Sequence, residues 1–391
     1  MKKLLLRKRN LIILLIPLGI FFTEWAKNNV EVAEHVFARG IYRVCSQVVA
    51  VLTGWIPFSL AELIVAVGPI VIVALLIRQI VRAVHVKPAN AEETEDKENS
   101  GVGEQRFLLL MTAVQNLLCL VAVIFFVYVI GCGVNYHRYS ANAYLGLEVR
   151  ESSVEELSGL LIEIAQETAK LRNQLTTEDE KGVYVLPMSV RKLGKEAKRA
   201  YQNLAVQYPI FGGKYPAPKP VTASRLMSHT EITGVFTCWT MEANVNVDIS
   251  PYSIGSTMCH ELAHLRGFMR EDEANYISIL ACRASDCVDL QYSGNMLALI
   301  YVGNALYGKN ADLYFEIYRT YYSEGMIRDL RANNEYWDQF EDTKVAEVAN
   351  KVNDTYLKAN EQEDGVQSYG RVVDLLLAEY RQRHSEEIEG E

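Results

Sequence analysis

At 391 residues the chain is long enough for more than one structural unit and for a sizeable packed core. A formal net charge of -9, with no clustered Lys and Arg stripe in the charged C-terminal part, excludes a nucleic-acid partner, because phosphate binding relies on such clusters. Seven scattered cysteines without a CxxC pair exclude a regular disulfide framework, and Cys282 and Cys287 are poorly spaced on one helix for a bridge.

Apolar residues concentrate in the first 135 positions, so a membrane part precedes a water-soluble part. Leu11 to Phe22 follows Lys2, Lys3, Arg7, Lys8 and Arg9, and with its flanks it gives a first span at about 10–26. No A-x-A cleavage site follows, which favours an uncleaved anchor over a signal peptide. Asn29 to Thr53 carries Val36, Ile41, Val44, Val48 and Val51 at loose helical spacing; it reads as a helix lying on the outer membrane surface or as an ordinary packing helix. Apolar runs at 58–77 and 107–130 match the ~20 residues that cross a ~30 Å hydrocarbon layer. Thr112, Gln115 and Asn116 suit a third span that packs on its neighbours. Between these two runs, the acidic segment 88–105, with Glu92, Glu93, Glu95, Asp96 and Glu98, is expected to be a disordered cytoplasmic linker.

Lys and Arg are denser at the N-terminus and in the Arg78–Arg106 loop than between the first two spans, so the N-terminus is expected in the cytoplasm. Three crossings then divide the chain into a multi-pass α-helical membrane part, 1–134, and an extracytoplasmic domain, 135–391. Within that domain the periodicity predicts helices over Glu151–Leu175, Ser189–Gln207, Asn295–Tyr307, Thr343–Leu357 and Gly370–Arg383. Tyr208 to Lys219 reads as a loop, and Ala243 to Ile249 alternates like a half-buried strand able to align an extended peptide. The domain is therefore expected to be mostly helical with a small sheet.

The chemistry concentrates between Ser250 and Asn275. Ser250 suits a helix cap, Pro251 a first turn and Gly267 the left-handed position after the last turn. Ile254, Met258, Leu262 and Leu265 give that helix one apolar face. His260 and His264, four apart in His260-Glu261-Leu262-Ala263-His264, project together from the other side. Two imidazoles one turn apart can hold one Zn2+, with Glu261 as the general base for a zinc-activated water. A third ligand is required to leave one open position. Glu271 is favoured, because it shares a polar helix face with Asn275, which would orient a ligand, while Glu273 is the rival. For the oxyanion, Tyr292, Tyr356 and His229 are available without one being singled out.

HELAH followed by E-x-x-A-N, with a strand before it, resembles the zincin metallopeptidases and, more narrowly, the gluzincins. The whole chain also resembles a bacterial membrane family called domain of unknown function 3810. That resemblance runs through Pro57-Phe58-Ser59, Glu242 to Asn246, Cys259 to Asn275, Tyr356-Leu357-Lys358, Gly365-Val366 and Ser368-Tyr369-Gly370. It implies a zincin-like α+β domain on a bacterial cell membrane, with His260 and His264 as ligands and Glu261 as the catalytic carboxylate. The six residues between His264 and Glu271 are fewer than in familiar gluzincins. The expectation is a membrane-anchored zinc metallopeptidase acting on a peptide or protein outside the cytoplasm. The alternative is a non-enzymatic membrane sensor or assembly factor with a structural or vestigial zinc site.

Overall fold

The computed structural model describes residues 8–86, 95–341, 343–359 and 370–389. A 3-10 segment, Lys8–Leu14, leads into α1 (Leu15–Asn28). Next comes α2 (Val30–Gly54), which is π-helical over Ala33–Tyr42. Ser59 then caps α3 (Leu60–Val84) by accepting from the Glu62 N–H, and α4 spans Glu95–Gly131. Residues 95–105, expected to be part of a disordered linker, are instead the first turns of α4. Once the apolar stretch is helical, each further residue adds one hydrogen bond without a new nucleation cost, so the helix grows upstream. Residues 88–94 of that linker lie outside the described residues.

Among the described residues, four segments are long and apolar enough to cross a membrane: Arg9–Asn28, Val30–Gly54, Leu60–Val84 and Val102–His137. The sequence reading had three, and α2 is the addition. Its mean hydropathy is 1.2, against 2.8 and 2.9 for the last two, because one of its faces is built for protein contact. From that face the Tyr42 hydroxyl donates to the carbonyls of His264 and Leu265, and Gln47 accepts from the Lys214 N–H. Tyr42 and Ala50 belong to the same buried core as the helix carrying the histidines. Val36, Ile41, Val44, Val48 and Val51 form the exposed face.

The globular part begins with α5 (Val154–Gln174), opened by a capping box between Ser153 and Glu156, and α6 (Val190–Gln207). The strands are β1 (Lys219–Pro220), β2 (Gly234–Thr237) and β3 (Glu242–Val245), in the order β1-β3-β2. The β1–β3 pair is parallel and the β2–β3 pair antiparallel, with Phe236 opposite Ala243. Then follow α7 (Pro251–Leu265), α8 (Glu271–Arg283), α9 (Val288–Lys309), α10 (Ala311–Tyr321), α11 (Glu324–Trp337), α12 (Lys344–Ala359) and α13 (Gly370–Glu389). The described residues are mostly helical, as the sequence indicated, though α10 and α11 were not anticipated.

The core lies where α7, α8 and α9 pack together, with α5 laid on α9. Met258, Leu262 and Leu265 of α7 are fully buried there. Each such side chain contributes about 1.5–3 kcal/mol relative to exposure. The sheet stands at the head of α3. Glu242 accepts from the N–H groups of Leu60 and Ala61, two of the amides that a helix start leaves unpaired, and it pairs with Lys219. Glu62 in turn accepts from the Thr222 and Ala223 N–H groups.

Strand β3 stops at Val245 instead of running to Ile249, and all four of its residues are buried instead of alternating. Asn246 ends it. Its side chain donates to the Ile232 carbonyl and to Ser228, and accepts from the Asp248 N–H, closing a local turn that competes with the ladder.

Candidate metal centre

Helix α7 aims the histidines because both of its ends are fixed. Pro251 occupies its first turn as expected. Ser250 precedes it but makes no side-chain cap; its carbonyl takes the Ser253 N–H at 2.8 Å instead. At the far end Gly267 adopts φ +89°, which lets its own N–H reach the His264 carbonyl and the Phe268 N–H reach Ala263. The chain therefore turns sharply, and α8 starts against the same face.

That turn brings Glu271 to the histidines. Its Oε2 lies 3.1 Å from His260 Nε2 and its Oε1 lies 3.4 Å from His264 Nε2. The two imidazoles stand edge to face, 4.5 Å between centroids. Each ring has its other nitrogen engaged: His260 Nδ1 is 2.8 Å from Asn275 Oδ1, and His264 Nδ1 is 2.8 Å from the Phe268 carbonyl. Both acceptors call for an N–H at Nδ1, which leaves Nε2 of each ring as the atom that faces Glu271. Glu273, the rival, is directed elsewhere. It takes the guanidinium of Arg270 and the Ala141 N–H at 2.9 Å.

Glu261 is buried beside the trio. Its Oε2 has no hydrogen-bond partner among the described residues. Burial pushes its carboxyl up to about 6, although the neighbouring histidines and the Phe236 N–H pull the other way. Burial opposes a charged His264, yet the Glu271 carboxylate overcomes that and raises it to about 9. Glu271 itself, despite burial, is held well below the usual carboxylate range by His264 and His260. The trio is not sealed: the side chains of His260 and Glu271 keep 14% and 24% exposure.

A sequence-family model described as "Protein of unknown function (DUF3810)" matches residues 37–377. This chain belongs to the DUF3810 family. No curated protein and no solved structure matches it.

Two features of this DUF3810 chain bear on whether a metal fits. Ligand atoms ~2.0–2.1 Å from a tetrahedral ion lie about 3.4 Å apart; the Glu271 oxygens lie 3.1 Å and 3.4 Å from His260 Nε2 and His264 Nε2, and one ligand atom from each of the three residues falls within 4.8 Å of the others. The donor set of two neutral imidazoles and one carboxylate is also that of catalytic zinc, with a fourth position left over. The residues fit Zn2+.

Several contributors in the DUF3810 chain escaped the sequence reading. Strand β2 passes so close to Glu261 that a Cβ on Gly234 would lie 2.8 Å from Glu261 Cγ and 2.8 Å from Thr257 Cγ2. Its alternation over four residues is too short to stand out, though Gly-Val-Phe-Thr is strand-prone. Arg138 donates to the Arg266 carbonyl at the end of α7, lies 4.1 Å over the Phe268 ring, and is held by buried Glu34 of α2. No local pattern announces a pair 104 residues apart. Of the possible oxyanion donors, Tyr292 donates to Asp329 at 2.6 Å and His229 stacks edge-on with Phe340, so neither faces the trio. The Tyr356 side chain lies outside the described residues, as do Gly365, Val366, Ser368 and Tyr369. No disulfide joins any of the cysteines among the described residues, so Cys282 and Cys287 are not bridged.

Proposed function

We propose that this chain is a membrane-anchored zinc metallopeptidase of zincin-like, gluzincin type, acting on a peptide or protein outside the cytoplasm. One observation carries the reading: the convergence of His260 Nε2, His264 Nε2 and the Glu271 carboxylate beside a buried, half-unpartnered Glu261. Three helices, α1, α3 and α4, cross the cell membrane, with the N-terminus in the cytoplasm by the Lys and Arg distribution. Helix α2 belongs to the globular side.

His260, His264 and Glu271 would hold the metal, and Asn275 and Phe268 would keep the rings turned toward it. A bound zinc supplies Lewis-acid polarisation and makes water acidic near neutral pH. Glu261 takes the proton from the attacking water while the oxygen bonds to the scissile carbonyl carbon. It then delivers that proton to the leaving nitrogen as the C–N bond breaks, so that water is added across the amide. A carboxyl near 6 is matched to both halves of this task, and a nearby cation draws it further toward the ionised form.

The test is peptide-library cleavage by the full chain in lipid nanodiscs, read by mass spectrometry, for wild type and Glu261→Gln. The proposal expects cleavage by wild type, and intact zinc without cleavage in the variant. Zinc binding with no cleavage of any library peptide supports the alternative, a sensor or assembly factor with a structural site.

A further inference from the structure

We propose that α2 and the tip of the β2–β3 hairpin lie in the membrane interface on the globular side. The site at His260, His264 and Glu271 then takes polypeptides tethered to that same bilayer and cuts them a few residues above it. The docking stands on the geometry alone, while the substrate class rests on the peptidase reading.

The exposed face of α2 is the first ground. Ile41, Val44, Val48, Leu52 and Trp55 recur at helical spacing and are 54%, 62%, 56%, 57% and 81% exposed. Arg43 is the sole charged residue from Ile41 to Trp55, and it turns inward to the carbonyls of Pro209 and Gly212. A helix facing water carries its charges outward. From Ile41 to Trp55 the inward face holds the polar groups and the outward face is apolar, as an interfacial helix requires, while the exposed Glu31, His35 and Arg39 belong to the first turns of α2.

The second ground is where the ends of this helix are tied. It starts two residues after α1 and ends six residues before α3, so span-length helices fix both ends. The hairpin confirms the level. A Cβ on Gly131, the last residue of α4, would lie 2.9 Å from Cys238 Cβ, and the next residue, Trp239, is 47% exposed at the hairpin tip. Strand β3 then starts at Glu242, hydrogen-bonded to the first amides of α3. Trp55 and Trp239 therefore sit beside the ends of membrane helices, where aromatic rings with one polar edge are favoured.

The distance to the chemistry follows from the strand. From Cys238 back to Val235, next to the contact of Gly234 with Glu261, β2 rises about 10 Å at ~3.3 Å per residue. The ring of Phe236 lies 6.4 Å from that of His264 along the same stretch. An extended polypeptide leaving the bilayer reaches the metal trio after about three residues. A peptide free in solution has no such delivery.

The test uses the full chain in nanodiscs whose lipids carry bromine near the top of the acyl chain, with single-tryptophan versions retaining Trp55, Trp239 or Trp337. Trp55 and Trp239 are expected to be quenched, and Trp337 of α11 is not. If these versions fail to fold, a nitroxide on native, exposed Cys45 is expected to be more accessible to oxygen than to a water-soluble nickel chelate. Unquenched Trp55 and Trp239, or a water-accessible Cys45, overturns the docking; protection appearing only with two chains per disc assigns the face to a second copy and also overturns it.

The substrate class is read from membrane-tethered peptides with increasing spacers. Cleavage is expected to be absent below about three residues, best just beyond, and weaker as the spacer lengthens. Equal cleavage of soluble and tethered peptides overturns the substrate class and leaves the peptidase standing. Cleavage of nothing overturns the peptidase and the substrate class together, while the quenching still decides the docking.

Discussion

Replacing Gly234 by alanine tests whether β2 positions Glu261, the carboxylate proposed as the general base. The position does not need glycine for its backbone, since its φ is not in the left-handed region; it needs glycine for space. An added Cβ would meet Glu261 Cγ and Thr257 Cγ2 at 2.8 Å each, and Glu261 Oε1 closer still. Carbon atoms rest about 3.5–4.0 Å apart, so the strand or the carboxylate must give by about 0.7–1.2 Å. Overpacking of this kind costs about 1–3 kcal/mol. A displacement near 1 Å at a reacting group lowers turnover by roughly 100-fold. The three atoms nearest the new Cβ belong to Glu261 and Thr257, and none to the proposed metal ligands His260, His264 and Glu271. Gly234→Ala is therefore expected to keep zinc, lower Tm by several degrees, and lose about two orders of magnitude in peptide hydrolysis. Zinc analysis, calorimetry and cleavage rates on one preparation check this, and wild-type turnover and Tm in the variant would refute the reasoning.

Asn275→Leu, which removes the acceptor for His260 Nδ1, is expected to weaken zinc binding about 10–100-fold in chelator competition, while Asn275→Asp keeps most of it. Arg138→Met leaves buried Glu34 without its partner and is expected to destabilise the chain by about 3–5 kcal/mol. Adding Glu34→Gln recovers much of that loss in thermal unfolding. Arg381 and the Ser153 N–H hold the Glu156 carboxyl at about 2, below its unfolded value of about 4.3. A depressed carboxyl gives stability that is present above about 4.3 and is lost as pH falls toward about 2. Tm of wild type is thus expected to drop more steeply than that of Glu156→Gln across that window.

The α7–α8 unit was legible because its signals are local: a 3.6-residue apolar period, Pro251 at one end and Gly267 at the other. Choosing Glu271 over Glu273 from sequence relied on helix faces, and the partner of Glu273, Arg270, is only three residues away. The strand was overextended because the pattern Asn244, Asn246, Asp248 imitates outward polar residues. In the structure Asn244 and Asn246 are buried and bonded, with Asn244 donating to Thr237 and Asn246 to Ser228. Helix α10 went unseen because aromatic residues surround it and Ile317 alone is buried, so no stripe emerges. The tie between α2 and α7, Tyr42 to the His264 carbonyl, joins residues 222 positions apart and has no signature in either segment.

Zinc content of the purified full chain, by elemental analysis, tests the central claim most directly. One ion per chain is expected in wild type and in Glu273→Gln, and none in His264→Ala or Glu271→Ala. A wild-type chain without zinc, or a His264→Ala chain that retains it, would contradict the account.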